Sequence, residues 1–355
     1  MSRAGRVIER WGVAAAAVLL GILTLTGVLG THGSDAHTAP RAEHPAAAPA
    51  LPPSRPAAPK VAPKGQVALG AYIPGATNHP ALIQSYATRT GRPPAILVYY
   101  RTWQKGPAFD ELTLRRLTQG GAVPMLTWEP WHQSLAAIAA GRYDRYIRST
   151  ARAAKRWGRP ILLRFAHEMN GDWYPWGAGT TQPEAYVAGW RHIVRVFRGE
   201  GATNVRFVWA PNAEHESQRA ILDLYPGDRW VDWVALSGFN WGGPWLWESA
   251  QHVFRRSYLA LSRLTRKPLM IAETAAGEVG GSKPKWIAQT FSKDLRRMPR
   301  VRAVVWFNGQ LNWARWDADS SPASLNAFRT AVAPEHYGAG AALVEGLSKT
   351  GVTGP

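Results

Sequence analysis

An imidazole, a carboxylate, an amide and two indoles meet in Arg164-Phe165-Ala166-His167-Glu168-Met169-Asn170-Gly171-Asp172-Trp173-Tyr174-Pro175-Trp176-Gly177. Ahead of them Ile161-Leu162-Leu163 is apolar and reads as a buried strand. At a strand end, a carboxylate can move protons, polar groups can hold hydroxyls, and indoles can stack on sugar rings. The combination points to sugar chemistry. His-Glu could also open a zinc-binding helix, but that motif needs a second His four residues after the first. Gly171 stands there, so no zinc site is expected, and the sugar chemistry itself calls for no metal or organic cofactor. Trp173 and Trp176 follow Gly171 and flank Pro175, in a segment that can be neither regular helix nor central strand. Aromatics on such loops are placed to meet a ligand.

A second carboxylate, Glu273, ends the apolar run Leu269-Met270-Ile271-Ala272. Two acids across one substrate are the machinery of glycoside hydrolysis: separations of ~5–5.5 Å go with retention and ~6.5–9.5 Å with inversion. Glu129, in Trp128-Glu129-Pro130-Trp131, is a third acid and reads as a partner for a substrate hydroxyl or for the fold itself.

These residues need elements to bring them together. Short apolar runs at 67–73, 95–100, 123–128, 161–166, 205–210, 233–238, 268–272 and 301–307 read as strands. Between them lie helical stripes. Tyr186, Val187, Trp190, Ile193, Val194 and Phe197 recur at spacings of three and four, with Pro183 at the start. Trp286, Ile287, Phe291 and Leu295 make another. Strands alternating with helices imply parallel βαβ units, and eight units in roughly 250 residues imply a closed (β/α)8 barrel. No glycine-rich phosphate loop follows the first strand, which disfavours a nucleotide-binding open sheet.

In such a barrel, function gathers where the strands end. The exits carry Tyr72; Tyr99, Tyr100 and Arg101; Glu129 and Trp131; His167, Glu168 and Asn170; Trp209 and Asn212; Asn240 and Trp241; Glu273; and Trp306 and Asn308. Glu168 and Glu273 fall on the fourth and seventh strands, which face each other across a small mouth.

The motif Arg164-x-x-His167-Glu168-Met169-Asn170-Gly171-x-Trp173-x-x-Trp176-Gly177, with Ile271-Ala272-Glu273 and Trp306-Phe307-Asn308, resembles glycoside hydrolase family 26. That family includes β-mannanases and some β-glucanases and β-xylanases. The resemblance covers roughly 65–334. It implies a (β/α)8 barrel and a retaining mechanism, with Glu168 as acid/base and Glu273 as nucleophile. It further implies that His167 holds the nucleophile or the sugar 2-hydroxyl and that Arg164 keeps nearby carboxylates ionised. Trp173 and Trp306 would wall one subsite, with Trp131, Trp176 and Trp241 as further platforms. One departure stands out. Relatives often place at the end of the sixth strand a Tyr that bonds the nucleophile, and Phe239 stands here. Tyr72 or Tyr99 could replace that donor. The implied activity is endo-cleavage of β-1,4-mannan or β-1,3/1,4-glucan. The competing reading is a catalytically silent barrel that tethers cell-envelope glycans.

The remaining sequence bounds the setting. The 355 residues include no cysteine, which removes disulfides and thiolate chemistry, and 18 Trp, which suits stacking surfaces. The formal charge of +18 is spread along the chain and is mostly Arg, with no basic block interleaved with aromatics, so no nucleic-acid partner is expected. Arg3, Arg6 and Arg10 precede an apolar run over 11–30, which reads as a membrane anchor or an export signal. Residues 31–64 are rich in Ala and Pro and read as a disordered linker. A catalytic domain at 65–335, monomeric and outside the cytoplasm, and a flexible tail at 336–355 complete the expected organisation.

Overall fold

A computed structural model describes residues 65–338 except 104–107, 214–217, 244–245 and 311–313, together with 340, 342, 344 and 346. The expected anchor (1–30) and linker (31–64) lie outside the described residues.

Eight parallel strands form a closed barrel in sequence order: Ala68–Tyr72 (β1), Ile96–Thr102 (β2), Val123–Glu129 (β3), Ile161–Phe165 (β4), Val205–Trp209 (β5), Trp233–Ser237 (β6), Leu269–Thr274 (β7) and Val301–Phe307 (β8). β8 pairs with β1 and removes both sheet edges. Every expected strand is present, with ends within two residues of the expected bounds. The helices around it are Ala81–Thr90 (α1), Glu111–Thr118 (α2), Leu135–Ala139 (α3), Asp144–Trp157 (α4), Pro183–Gly199 (α5), Gln218–Asp223 (α6), Ala250–Leu264 (α7), Lys283–Gln289 (α8) and Pro322–Val332 (α9).

Local chemistry sets these boundaries. Asp110 accepts from the Thr113 amide and opens α2; Ser134, Ser249, Ser282 and Ser321 cap α3, α7, α8 and α9 in the same way. Gly91 and Gly158 close α1 and α4 in the left-handed conformation. Pro183 occupies the first turn of α5, where a missing N–H costs nothing. The α5 stripe buries Tyr186, Trp190, Ile193, Val194 and Phe197 against the sheet, each contributing about 1.5–3 kcal/mol. The other expected stripe is not one α-helix. α8 continues as a π turn over Thr290–Asp294 and a 3-10 turn over Leu295–Arg297, which keeps Phe291 and Leu295 buried.

Inside the barrel, alternate residues of each strand interdigitate, among them Ala68, Val98, Met125, Leu162, Val208, Ala235, Met270 and Val305. Gly70 belongs to this set: a Cβ there would stand 2.8 Å from Val305 Cγ2, so β1 needs a glycine. Two described side chains of the expected tail are buried. Tyr337 is buried and donates to the Phe291 carbonyl, and Val344 packs among the residues of the barrel interior.

Candidate active site

The alternation that fills the barrel also builds its mouth. Arg164 is two residues beyond Leu162 on β4, so it points inward, and it is fully buried (0% exposed). Its Nε and Nη2 donate to Thr127 Oγ1 at 3.0 and 2.6 Å, and its Nη2 also donates to the Glu273 carboxylate. Burial works against the guanidinium charge, but Glu273, Tyr100 and Glu168 together more than offset it and the Arg164 pKa rises.

Glu273 reaches Arg164 through an irregularity. Met270 and Ala272 face inward and Ile271 outward, so strict alternation would turn Glu273 toward the helices. Between Ile271 and Glu273 the chain takes two steps while β6 takes one, from Leu236 to Ser237. Against β8, Ile271 to Thr274 spans three steps opposite two. One extra residue in β7 therefore reverses the phase and re-aims the carboxylate, as β-bulges near sites do. Glu273 lies 4% exposed and accepts from the Tyr100 hydroxyl as well as from Arg164.

Glu168 is aimed by strain of another kind. Ala166 and Glu168 both have positive φ, 44° and 52°. Each such non-glycine residue costs on the order of 1–3 kcal/mol and persists only where its surroundings hold it. Here the Glu168 amide donates to the Ala210 carbonyl at 2.8 Å. The side chain, 5% exposed, accepts from Asn212 Nδ2 and Trp173 Nε1, both at 3.0 Å. Gly171 makes the second bond possible, because a Cβ there would lie 2.0 Å from the Trp173 ring. Burial, then the Glu273 charge, push the Glu168 carboxyl up to about 7. The two acids are thus close enough to feel each other, and Arg164 acts on both.

Glu129, at the inward-facing end of β3, is fully buried and is pushed up to about 8, chiefly by burial. Its Oε2 accepts from Trp131 Nε1 at 3.3 Å. His167 is buried beside Tyr174, whose hydroxyl lies 3.2 Å from Nε2. Burial, then Arg164, hold the imidazole pKa well below its usual value, so the ring is neutral. It makes no hydrogen bond to Glu273 among the described residues.

Several expected ligand residues sit elsewhere. Tyr99 and Trp306 face outward: Tyr99 packs in the layer between barrel and helices, and Trp306 lies edge-on to Phe328 of α9 and Trp286 of α8. Their inward neighbours, Tyr100 and Phe307, line the mouth instead. Trp176, Trp241 and Trp306 are each 1% exposed, and a stacking platform needs an open face. Trp176 lies flat on Tyr174 at 4.4 Å and donates to the His167 carbonyl. Trp241 meets Trp316 edge-on at 4.8 Å. Asn170 accepts from the Asn212 amide and donates to its carbonyl, bracing the residue that holds Glu168. Asn240 accepts from the Glu248 amide, and Asn308 ties the Tyr72 carbonyl to the Ala318 amide. Tyr72, Trp131 and Trp173 remain partly exposed at the mouth, with Tyr72 stacked on Phe307 at 4.7 Å. Trp316 was not foreseen. It stacks on Phe239 at 4.7 Å and arrives from a loop beyond β8 that carries no motif.

Known proteins resemble this chain in sequence and in fold. The sequence model of glycosyl hydrolase family 26 matches residues 132–244. The chain is 36% identical over 273 residues to Endoglucanase H of Acetivibrio thermocellus, covering 74% of this chain and 30% of that protein. It is 28% identical over 148 residues to mannan endo-1,4-β-mannosidase A and B of Caldalkalibacillus mannanilyticus, covering 40% of this chain and 25% of that protein. The chain therefore spans less than a third of the length of these relatives. Among solved structures it superposes on the catalytic domain of the Bacillus sp. JAMB-750 GH26 endo-β-1,4-mannanase with a TM-score of 0.62 at 16% identity, covering 80% of this chain and 89% of that one.

Proposed function

This chain belongs to glycoside hydrolase family 26, and from that premise we propose that it is a retaining, endo-acting β-glycoside hydrolase with Glu168 as acid/base and Glu273 as nucleophile. The unequal setting of two carboxylates in one mouth carries the reading. Glu168 is bonded only by neutral donors among the described residues and is raised to about 7, which suits an acid that starts protonated. Glu273 is bonded by a guanidinium and a phenol, which suits a carboxylate that starts charged.

In the first step Glu273 attacks the anomeric carbon while Glu168 protonates the departing glycosidic oxygen. Glu168, now ionised, takes a proton from the water that releases the sugar from Glu273. Arg164 and Tyr100 receive the carboxylate back as it leaves. Tyr72, Trp131 and Trp173 offer faces to sugar rings at the mouth. Tyr100, rather than Tyr72 or Tyr99, supplies the phenol that Phe239 cannot.

Endoglucanase H matches more of this chain, and at higher identity, than the mannan endo-1,4-β-mannosidase does, which favours a β-glucan as substrate. A panel of mixed-linkage β-glucan, β-mannan, β-1,3-xylan and cell-wall glycans, read by release of reducing ends, tests both reaction and substrate. Release from one glycan that is lost in Glu273→Gln, with binding kept, is the expected outcome. Binding without release from any glycan would favour the silent barrel. The apolar run at 11–30 supports placing the catalytic domain outside the cytoplasm, membrane-anchored or secreted.

A further inference from the structure

The end of the barrel opposite the mouth carries a charge pattern that catalysis does not use. Helices run antiparallel to the strands, so their last turns gather where the strands begin. Each described helix of eight residues or more has Arg or Lys in that turn. Complementing the helix dipole explains one such cation per helix. It does not explain Arg159, Arg229 and Arg266, which are exposed in the connections that follow.

Acids offset part of it: Arg89 pairs with Asp319 at 2.7 Å, Arg115 with Glu111, and Arg148 and Arg152 with Glu200, while the buried Asp232 acts on Arg198 and Arg206. Asp223, Asp228 and Glu335 stay in the open.

Two partly exposed indoles sit within the pattern. The Trp230 ring has the guanidiniums of Arg195, Arg198 and Arg229 at 5.8, 5.9 and 5.7 Å from its centroid. The Trp157 ring has Arg115 at 6.0 Å and Arg159 at 5.2 Å. Guanidiniums match phosphate oxygens in pairs, and indoles settle at the boundary between water and hydrocarbon. Cation-flanked indoles therefore suit a layer of phosphate headgroups above acyl chains.

The chain also enters the fold here. Gly65 and Gln66 precede β1 on this face, and Arg302 holds the Gln66 carbonyl at 2.9 Å. The 64 residues before them include the apolar run at 11–30. The segment that carries that run therefore joins the barrel at this end rather than at the mouth.

We propose that the strand-start face of the barrel docks on an anionic lipid bilayer, with the arginines on headgroup phosphates, Trp157 and Trp230 at the interface, and the mouth turned away. The placement rests on the membrane reading of the N-terminal run and is independent of the glycosidase reading.

Hydrogen exchange read by mass spectrometry tests it. The full chain is bound to vesicles of phosphatidylcholine with phosphatidylglycerol, or of phosphatidylcholine alone. On the anionic vesicles, peptides covering 155–160, 195–206 and 226–232 should exchange at least about fivefold more slowly, the partitioning that one basic residue contributes near such a surface. The added protection should vanish in about 0.5 M salt, where the screening length falls to roughly 4 Å. The variant Arg195→Gln/Arg198→Gln/Arg229→Gln should lose it while cleaving glycans in solution at the parental rate. Should that variant misfold, the salt arm on the parent still decides. Equal protection on both kinds of vesicle, failure to bind the anionic ones, or protection appearing at 129–133 and 171–177 around the mouth would overturn the proposal.

Discussion

At the scale of single residues, the site rests on which groups surround each acid. Tyr100 donates to Glu273 in the place where Phe239 has no hydroxyl. A hydrogen bond to a charged group contributes about 1.5–3 kcal/mol. Tyr100→Phe should therefore slow turnover roughly tenfold to a hundredfold. Steady-state kinetics on the best glycan checks this, and an unchanged kcat would remove Tyr100 from the account. Glu129 gives a stability prediction with a definite sign. Its folded pKa of about 8 lies above the ordinary 4.5. Its contribution to stability is therefore complete below about pH 4.5 and is lost as pH rises through about 8. Glutamine cannot ionise, so Glu129→Gln should exceed the parent by on the order of 1–3 kcal/mol at pH 9 and match it near pH 4. Urea melts at the two pH values decide, and a variant that is less stable at pH 9 contradicts buried ionisation.

At the scale of elements, two local departures from regular geometry aim the chemistry: the extra residue in β7 and the left-handed pair after β4. Gly171 supports the second by making room for Trp173. Gly171→Ala should push the indole off Glu168 and remove a bond that lowers the Glu168 pKa. The alkaline limb of kcat/KM, expected near pH 7, should then move to higher pH, with kcat falling about tenfold. An unmoved limb would mean that Trp173 does not tune this acid. The same scale explains what the sequence could and could not reveal. Buried parallel strands are apolar on both faces, so their positions are legible while their phase is not. That is why all eight strands could be placed, yet Tyr99 was read for Tyr100 and Trp306 as a mouth residue in place of Phe307. That Glu168 and Glu273 reach one mouth was legible because each follows an apolar strand in a (β/α)8 pattern, where strand ends converge. Asn170 and Trp176 were legible as part of a motif, but their bracing of Asn212 and His167 depends on loop geometry that spacing does not encode.

At the scale of the whole molecule, the barrel separates a mouth rich in carboxylates and aromatics from a basic floor, and the floor is partly sealed from below. Val344 is 1% exposed and packs among the interior residues, in a stretch whose glycines suggested a loose tail. Truncation after Gly338 should cost about 1.5–3 kcal/mol, the value of burying one valine side chain. Urea unfolding measures it, and no loss would show that the barrel closes without Val344. No helix among the described residues is long and apolar enough to cross a membrane.

In the proposed mechanism Glu273 forms a bond to the sugar while Glu168 works from the other side of the same acetal. A 2-deoxy-2-fluoro glycosyl fluoride of the matching sugar, which slows release of the covalent intermediate, tests this by mass spectrometry of the labelled chain. One sugar per chain, mapped to Glu273 in the peptide spanning β7, is the predicted result. A stoichiometric label on another residue, or cleavage of the probe with inversion and no label, would contradict it.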